Sequence, residues 1–174
     1  MQILTADWVL PVTKSPIKNG AVVVDGSKIK AVGPVAVLKE KYPAAKLLAY
    51  EKAIILPGFI DVHTHLEYAV FRGLGDDLSY VDWRILLSKK ETKLNAEDWF
   101  ISAQLGVAEA IQSGITFAAN ISATEAGLKA IKQAGLRARV YYEVIGVNHK
   151  DVPELVRKTV AQVDKWQEES ANSL

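Results

Sequence analysis

The chain of 174 residues contains no cysteine, which excludes disulfides and any thiolate metal site and fits a reducing compartment. It also lacks an excess of charge of either sign. The 21 basic and 20 acidic residues leave a formal net charge of +1, so neither nucleic acid nor an anionic membrane is expected as a partner. No apolar run approaches the ~20 residues of a membrane-spanning helix. The N-terminal stretch "MQILTADWVLPV" has no basic region followed by a long apolar one, so it does not read as a signal peptide. There is no low-complexity tract and no regular repeat. The resulting expectation is a soluble, cytoplasmic protein.

What is present is ordinary for a globular protein: 49% hydrophobic and 24% charged residues, in a length that suits one domain or a small domain plus part of another. Residues 1–53 read as β-structure. In "GAVVVDGSKIKAVG" two β-branched runs flank Asp25-Gly26, a hairpin signal. Ile29, Ala31 and Gly33 alternate with Lys28, Lys30 and Val32, which predicts one solvated strand face. "ILTADWVL" and "AKLLAY" read as further strands, and "AVLKEKYP" as a short helix ending before Pro43.

From residue 54 the rhythm changes. "AIILPGFIDVHTH" is a nearly continuous apolar run, the pattern of a strand buried on both faces. A polar loop, "RGLGDDLS", follows. Residues 95–114 read as a helix with Asn95 as N-cap, Asp98 three positions on, and an apolar face of Phe100, Leu105, Val107, Ala108 and Ile111. A second buried strand (115–122), a helix stopped by Gly135 (123–135), a third strand (137–147) and a third helix (151–170) complete the pattern. Residues 54–174 thus read as three βα units, compatible with a doubly wound sheet or a (β/α)8 barrel. In both, chemistry sits at the C-terminal ends of the strands.

Two of the three histidines, His63 and His65, stand at that end of the first such strand. Alternation along a strand points Asp61, His63 and His65 one way and Val62, Thr64 and Leu66 the other. Two imidazoles this close repel one another when protonated but suit a divalent metal, which takes unprotonated nitrogen. A catalytic zinc takes three protein ligands and a water. The remaining histidine, His149, lies on the loop after the third strand, and no second ligand motif such as His-x-x-Glu-His accompanies it.

The stretch "ILPGFIDVHTHLEYAVFRGLGDDLSYVDWR" resembles the opening of the amidohydrolase superfamily, in its cytosine/guanine/S-adenosylhomocysteine deaminase and chlorohydrolase branch. Pro-Gly, two hydrophobic residues and Asp-x-His-x-His are followed by Arg72-Gly73, Asp76-Asp77 and Asp82-Trp83 at similar spacing. The hairpin at 20–33 resembles that family's N-terminal β-sandwich. The resemblance implies an α/β fold: a β-sandwich portion over residues 1–53, then the first three βα units of a (β/α)8 barrel over 54–174. It also implies a divalent metal, zinc or iron, held by His63 and His65.

In the family the other ligands are two histidines and an aspartate on later strands, with a glutamate that shuttles protons. A whole barrel takes ~250 residues, so the chain is expected to be the N-terminal portion of such an enzyme and inactive alone. An open strand edge in such a portion favours pairing with another copy, hence a homo-oligomer. The substrate is expected to be a small molecule, with Trp83, Glu91 and His149 on the substrate side. Glu91 matches the glutamate that nucleoside-type deaminases use for ribose hydroxyls. Glu143 stands where those enzymes carry an arginine near the end of the third strand, and Asn120 replaces a commoner aspartate and is expected to satisfy loop amides. The implied reaction is hydrolytic deamination of a heterocyclic or nucleoside-like substrate. Cyclic-amide hydrolysis, removal of a ring halide and a non-catalytic scaffold are the alternatives.

Overall fold

The computed structural model describes residues 1–144 and 151–171. Its contacts divide into two units, Met1–Gly58 and Phe59–Leu174. The first is a five-stranded sheet with one helix. Strands β1 (Gln2–Val9), β2 (Ile17–Asp25), β3 (Lys28–Pro34) and β4 (Lys46–Ala49) run in the order β3-β2-β1-β4. A short β5 (Ile54–Ile55) also pairs with β1. Neighbours β1–β2 and β2–β3 are antiparallel, whereas β4 and β5 run parallel to β1.

The hairpin turns at Gly26-Ser27, between the paired residues Asp25 and Lys28, and Gly26 takes the left-handed φ of +56° that this turn requires. Helix α1 (Val35–Lys41) ends at Tyr42, just before Pro43, and lays Leu38 onto Ile3, Ala21 and Val23 to form this unit's core.

One expectation for β3 fails. Val23 pairs with Ala31, but the next residue, Val24, pairs with Ile29, leaving Lys30 as the extra residue of a bulge. A bulge shifts the alternation by one residue. Ile29 therefore leaves the face of Ala31 and lines a cavity together with Val32.

The apolar run 53–65 is likewise not one strand. Ile54-Ile55 pair with Trp8-Val9, and Pro57, which has no N–H to donate, interrupts the ladder. The chain then starts β6 (Phe59–Thr64) in the second unit. There β6, β7 (Ile115–Ser122) and β8 (Arg137–Tyr142) form a parallel sheet in sequence order. Burial of β6 on both faces does not hold: among the described residues it pairs only with β7, and Val62 is 79% exposed.

The helices of this unit are α2 (Tyr80–Glu91), α3 (Ala96–Gln112), α4 (Ala126–Ala134) and α5 (Val152–Ala171), and a 3-10 turn spans Leu66–Phe71. No described helix is long and apolar enough to cross a membrane. Asn95 caps α3 by accepting from the N–H groups of Glu97 and Asp98, while the Asp98 carboxylate accepts from the Asn95 N–H, the reciprocal box expected of these residues. Gly135 ends α4 in the left-handed region, as expected.

The inward face of α3 differs from expectation. Ala103, Gly106, Val107 and Ala110 are buried, whereas Leu105 and Ile111 are about half exposed. The cause is close approach: a Cβ on Gly106 would overlap the Leu66 carbonyl oxygen, so small residues face the 3-10 turn. Leu66, Ala103, Val107, Ala110, Ala126, Ala130 and Ile131 make the core. The periodicity gave no sign of α2. Its apolar residues surround the cylinder, and Leu87 alone among them is buried. The end of the third strand expected at 137–147 lies outside the described residues, as does His149.

Candidate metal and substrate site

The C-terminal end of β6 carries His63 and His65 with ring centroids 5.4 Å apart and planes at 73°. An imidazole bound to zinc at ~2.1 Å has its centroid roughly 3 Å from the ion, so two of them at a tetrahedral angle stand about 5 Å apart. The observed spacing fits two ligands of one ion. The His63 backbone N–H donates to Asp61 Oδ1 at 3.1 Å, which turns that carboxylate back onto its own strand. Nδ1 of His65 is buried and has no hydrogen-bond partner among the described residues. No third histidine, aspartate or glutamate joins the pair in a metal-holding group among those residues.

Beyond His65 the chain enters the 3-10 turn, where polar side chains fix it from below. The Leu66 N–H donates to Asn120 Oδ1 at 2.9 Å. Asn120 Nδ2 donates to Glu67 Oε2 at 3.1 Å, and Ser122 Oγ hydrogen-bonds to Glu67 Oε1. Glu67, Asn120 and Ser122 are each at most 2% exposed. The Glu67 carbonyl accepts from Ser102 Oγ at 2.7 Å, and Ser102 Oγ in turn accepts from the Val70 N–H at 2.9 Å. Helix α4 crosses above at Gly127, where a Cβ would meet Glu67 Oε1 at 2.7 Å. Asn120 thus serves loop amides, as expected of it. Glu67 escaped the sequence reading, because a charged residue next to a metal motif reads as solvated until its partners are known.

A cavity of ≈ 370 Å³ opens beside His65, lined by Tyr68, Tyr80, Trp83, Arg84, Leu87 and Glu143. Trp83 therefore shares a cavity with His65, with Tyr80 tilted against it at 5.8 Å. Glu91 is not a solvated helix-end carboxylate. Arg84 Nη1 donates to its Oε1 at 3.0 Å, and the Tyr68 phenol lies near enough to feel the same carboxylate. Burial first, then the Glu91 carboxylate and the charge of Glu143, push the Tyr68 phenol well above its ordinary range. Tyr68 in turn packs edge-on against His65 at 5.5 Å. Glu91 thus reaches the cavity through Tyr68 and Arg84, neither of which the sequence reading singled out. A larger cavity of ≈ 620 Å³ between the first turns of α3 and α4 has no histidine in its lining.

The second unit is a parallel sheet whose strands are each followed by helix, with paired imidazoles at the end of the first strand. The chain belongs to the amidohydrolase family, whose pattern matches residues 54–173, while a bacterial imidazolonepropionase-like composite domain matches residues 20–45. Among curated relatives, a 5-methylthioadenosine/S-adenosylhomocysteine deaminase of Syntrophobacter fumaroxidans is 33% identical over 156 residues, which cover 86% of this chain and 35% of that protein. A 5'-deoxyadenosine deaminase of Methanocaldococcus jannaschii is 34% identical over 130 residues, covering 74% of this chain and 30% of that one.

The chain thus spans about a third of the length of the curated relatives it matches. Among solved structures, Helicobacter pylori aminofutalosine deaminase in complex with methylthio-coformycin superposes with a TM-score of 0.77 at 24% identity, covering 94% of this chain and 41% of that one. A mutant atrazine chlorohydrolase of Arthrobacter aurescens, complexed with zinc and atraton, gives 0.76 at 18% identity, covering 94% and 43%. These two likenesses establish the fold.

Proposed function

We propose that the protein is a metal-dependent aminohydrolase that releases ammonia from a heterocyclic, nucleoside-like substrate. The observation that carries this reading is the His63–His65 pair, spaced as two ligands of one ion, with His65 lining an aromatic-walled cavity. The deaminase relatives support the reaction type. We assign the ion as zinc, in keeping with the zinc-bound likenesses. Bound there, it would supply a Lewis acid and a water acidic enough to act as nucleophile near neutral pH.

The chain's own residues have separable tasks in this reading. His63 and His65 hold the ion, and further ligands come from outside the described residues. Trp83 and Tyr80 present ring faces to a planar base. Glu91, oriented by Arg84 and Tyr68, accepts hydroxyl hydrogen bonds from the sugar. His149 is assigned to substrate binding as well. Residues 1–53 form part of a composite β domain and residues 54–174 part of the barrel. The same reading places the enzyme in the cytoplasm as a homo-oligomer.

The test is ammonia release by zinc-loaded full-length protein from 5'-substituted adenosines, with a chlorotriazine and a cyclic amide as comparison substrates. Zinc-dependent turnover of an adenosine, abolished in a His63→Ala, His65→Ala double variant, is the expected result. Chloride release or ring opening without ammonia would replace this reading with halide or cyclic-amide hydrolysis. Inactivity on all three, with no metal bound, would leave a scaffold.

A further inference from the structure

We propose that the buried Asn120–Glu67–Ser122 cluster is a positioning device that sets the angle at which His65 meets the metal. The inference rests on His63 and His65 being ligands, as proposed above.

Burial makes the cluster conspicuous. Three polar side chains, one of them a glutamate, are at most 2% exposed beside Leu66, Ala126 and the glycine of α4. Well-packed apolar residues of similar volume commonly stabilise such a position as well or better, so stability alone is a weak reason for the cluster. Its bonds also converge on one place. Asn120 Oδ1 accepts from the Leu66 N–H, which belongs to the peptide plane that starts at the His65 carbonyl carbon. Fixing that plane fixes ψ of His65, which is 81° here, outside the strand and helix regions. Glu67, held by Asn120 and Ser122, fixes the turn on the other side of Leu66.

The ring of His65 itself supplies the second argument. A metal-bound histidine ordinarily donates its other ring N–H to a carboxylate or carbonyl, and that bond orients the ring. Here the buried Nδ1 has no such partner among the described residues. The backbone carries the orientation instead, and the neighbouring elements leave it little play: Gly106 of α3 abuts the Leu66 carbonyl, and Gly127 of α4 abuts Glu67 and Asn120.

The experiment is titration of apo full-length protein with Co2+, read by the visible ligand-field spectrum, with the thermal midpoint measured in parallel. Asn120→Leu and Glu67→Leu remove the bonds while filling the space, and Glu67→Gln keeps a hydrogen-bonding side chain of the same shape. The two leucine variants are expected to lose about 10- to 100-fold in Co2+ affinity, the size typical of outer-shell partners. Their ligand-field bands should also shift, and Glu67→Gln should restore both. Should a leucine variant fail to fold, Ser122→Ala removes one of the two side-chain bonds to Glu67, along with the hydroxyl's bonds to the Thr124 backbone, and should show a smaller loss in the same direction. Folded variants with the parent's affinity and spectrum would overturn the proposal while leaving the ligand assignment intact. A parent protein that binds no Co2+ would overturn the ligand assignment, and this inference with it.

Discussion

Arg84 and Glu91 form an ion pair at 3.0 Å across two turns of the same helix, and the Tyr68 phenol, outside that helix, feels the same carboxylate. The pair ties Glu91 to Arg84, which lines the cavity, without neutralising every lone pair, since a carboxylate accepts about four hydrogen bonds. In the proposed reaction, Glu91→Gln should lower kcat/KM for a sugar-bearing substrate by roughly 10- to 100-fold, the ~1.5–3 kcal/mol of a charge-assisted hydrogen bond. The same variant should leave the rate on the free base unchanged. Steady-state kinetics on both substrates checks this, and equal losses on the two would confine Glu91 to a structural task.

Tyr68 makes stability depend on alkaline pH. Its folded pKa lies above the ordinary 10.0, so the folded state holds the phenolic proton more tightly than the unfolded chain does. The contribution is complete below pH 10 and declines as pH rises from there toward the folded pKa. Tyr68→Phe should therefore flatten the fall in thermal midpoint above pH 10 relative to the parent. Parallel slopes would show that Tyr68 does not control it.

A counterpart at acid pH precedes α4, at its N-cap. Glu125 accepts from Lys165 of α5 at 2.6 Å and pairs with Lys129 at 3.0 Å, and these bonds bring its carboxyl down to about 2. A depressed carboxylate stabilises the fold above its unfolded pKa and loses that contribution as pH falls from there to about 2. The lysines are more than half exposed, so solvent screening limits the effect to about 1 kcal/mol or less. Loosening of α5 should appear as a change in emission from Trp166, which packs on Tyr142 at 5.2 Å. The Glu125→Gln variant should lack that step, and an unchanged acid transition would count against it.

Gly127 offers a test of packing. An alanine there gains helix propensity, yet its Cβ would lie 2.5 Å from Asn120 Nδ2 and 2.7 Å from Glu67 Oε1. The clash should dominate, destabilising Gly127→Ala by about 1–3 kcal/mol. Denaturant unfolding measures this. A variant as stable as the parent would show that α4 can move away without loss.

Legibility in the sequence followed the range of the interactions. The α3 cap is written within four residues, Asn95 to Asp98, and the stop of α4 in the single residue Gly135, so both were readable. The histidine pair was readable because strand alternation is local. The inward face of α3 was not, since the burial of Gly106 over Leu105 depends on a carbonyl from another element. Glu67 depended on partners 53 and 55 residues away. Ile29 was misplaced by the bulge at Lys30, which is visible only in the pairing register. Helix α2 has a readable Ser79 cap but no apolar stripe to extend from it.

The grip of Gly106, Gly127 and Asn120 on residues 66 and 67 also governs where this fold can vary in length. A residue inserted between His65 and Val70 would displace a carbonyl that α3 touches and a carboxylate that α4 touches, so two helices would have to move together. A few residues later the chain is under no such constraint. Gly73 and Gly75 both take positive φ, and Asp76 to Ser79 are exposed. Added length is therefore better absorbed at residues 76–78, between the close-packed Gly75 and the Ser79 cap of α2, than beside the histidines.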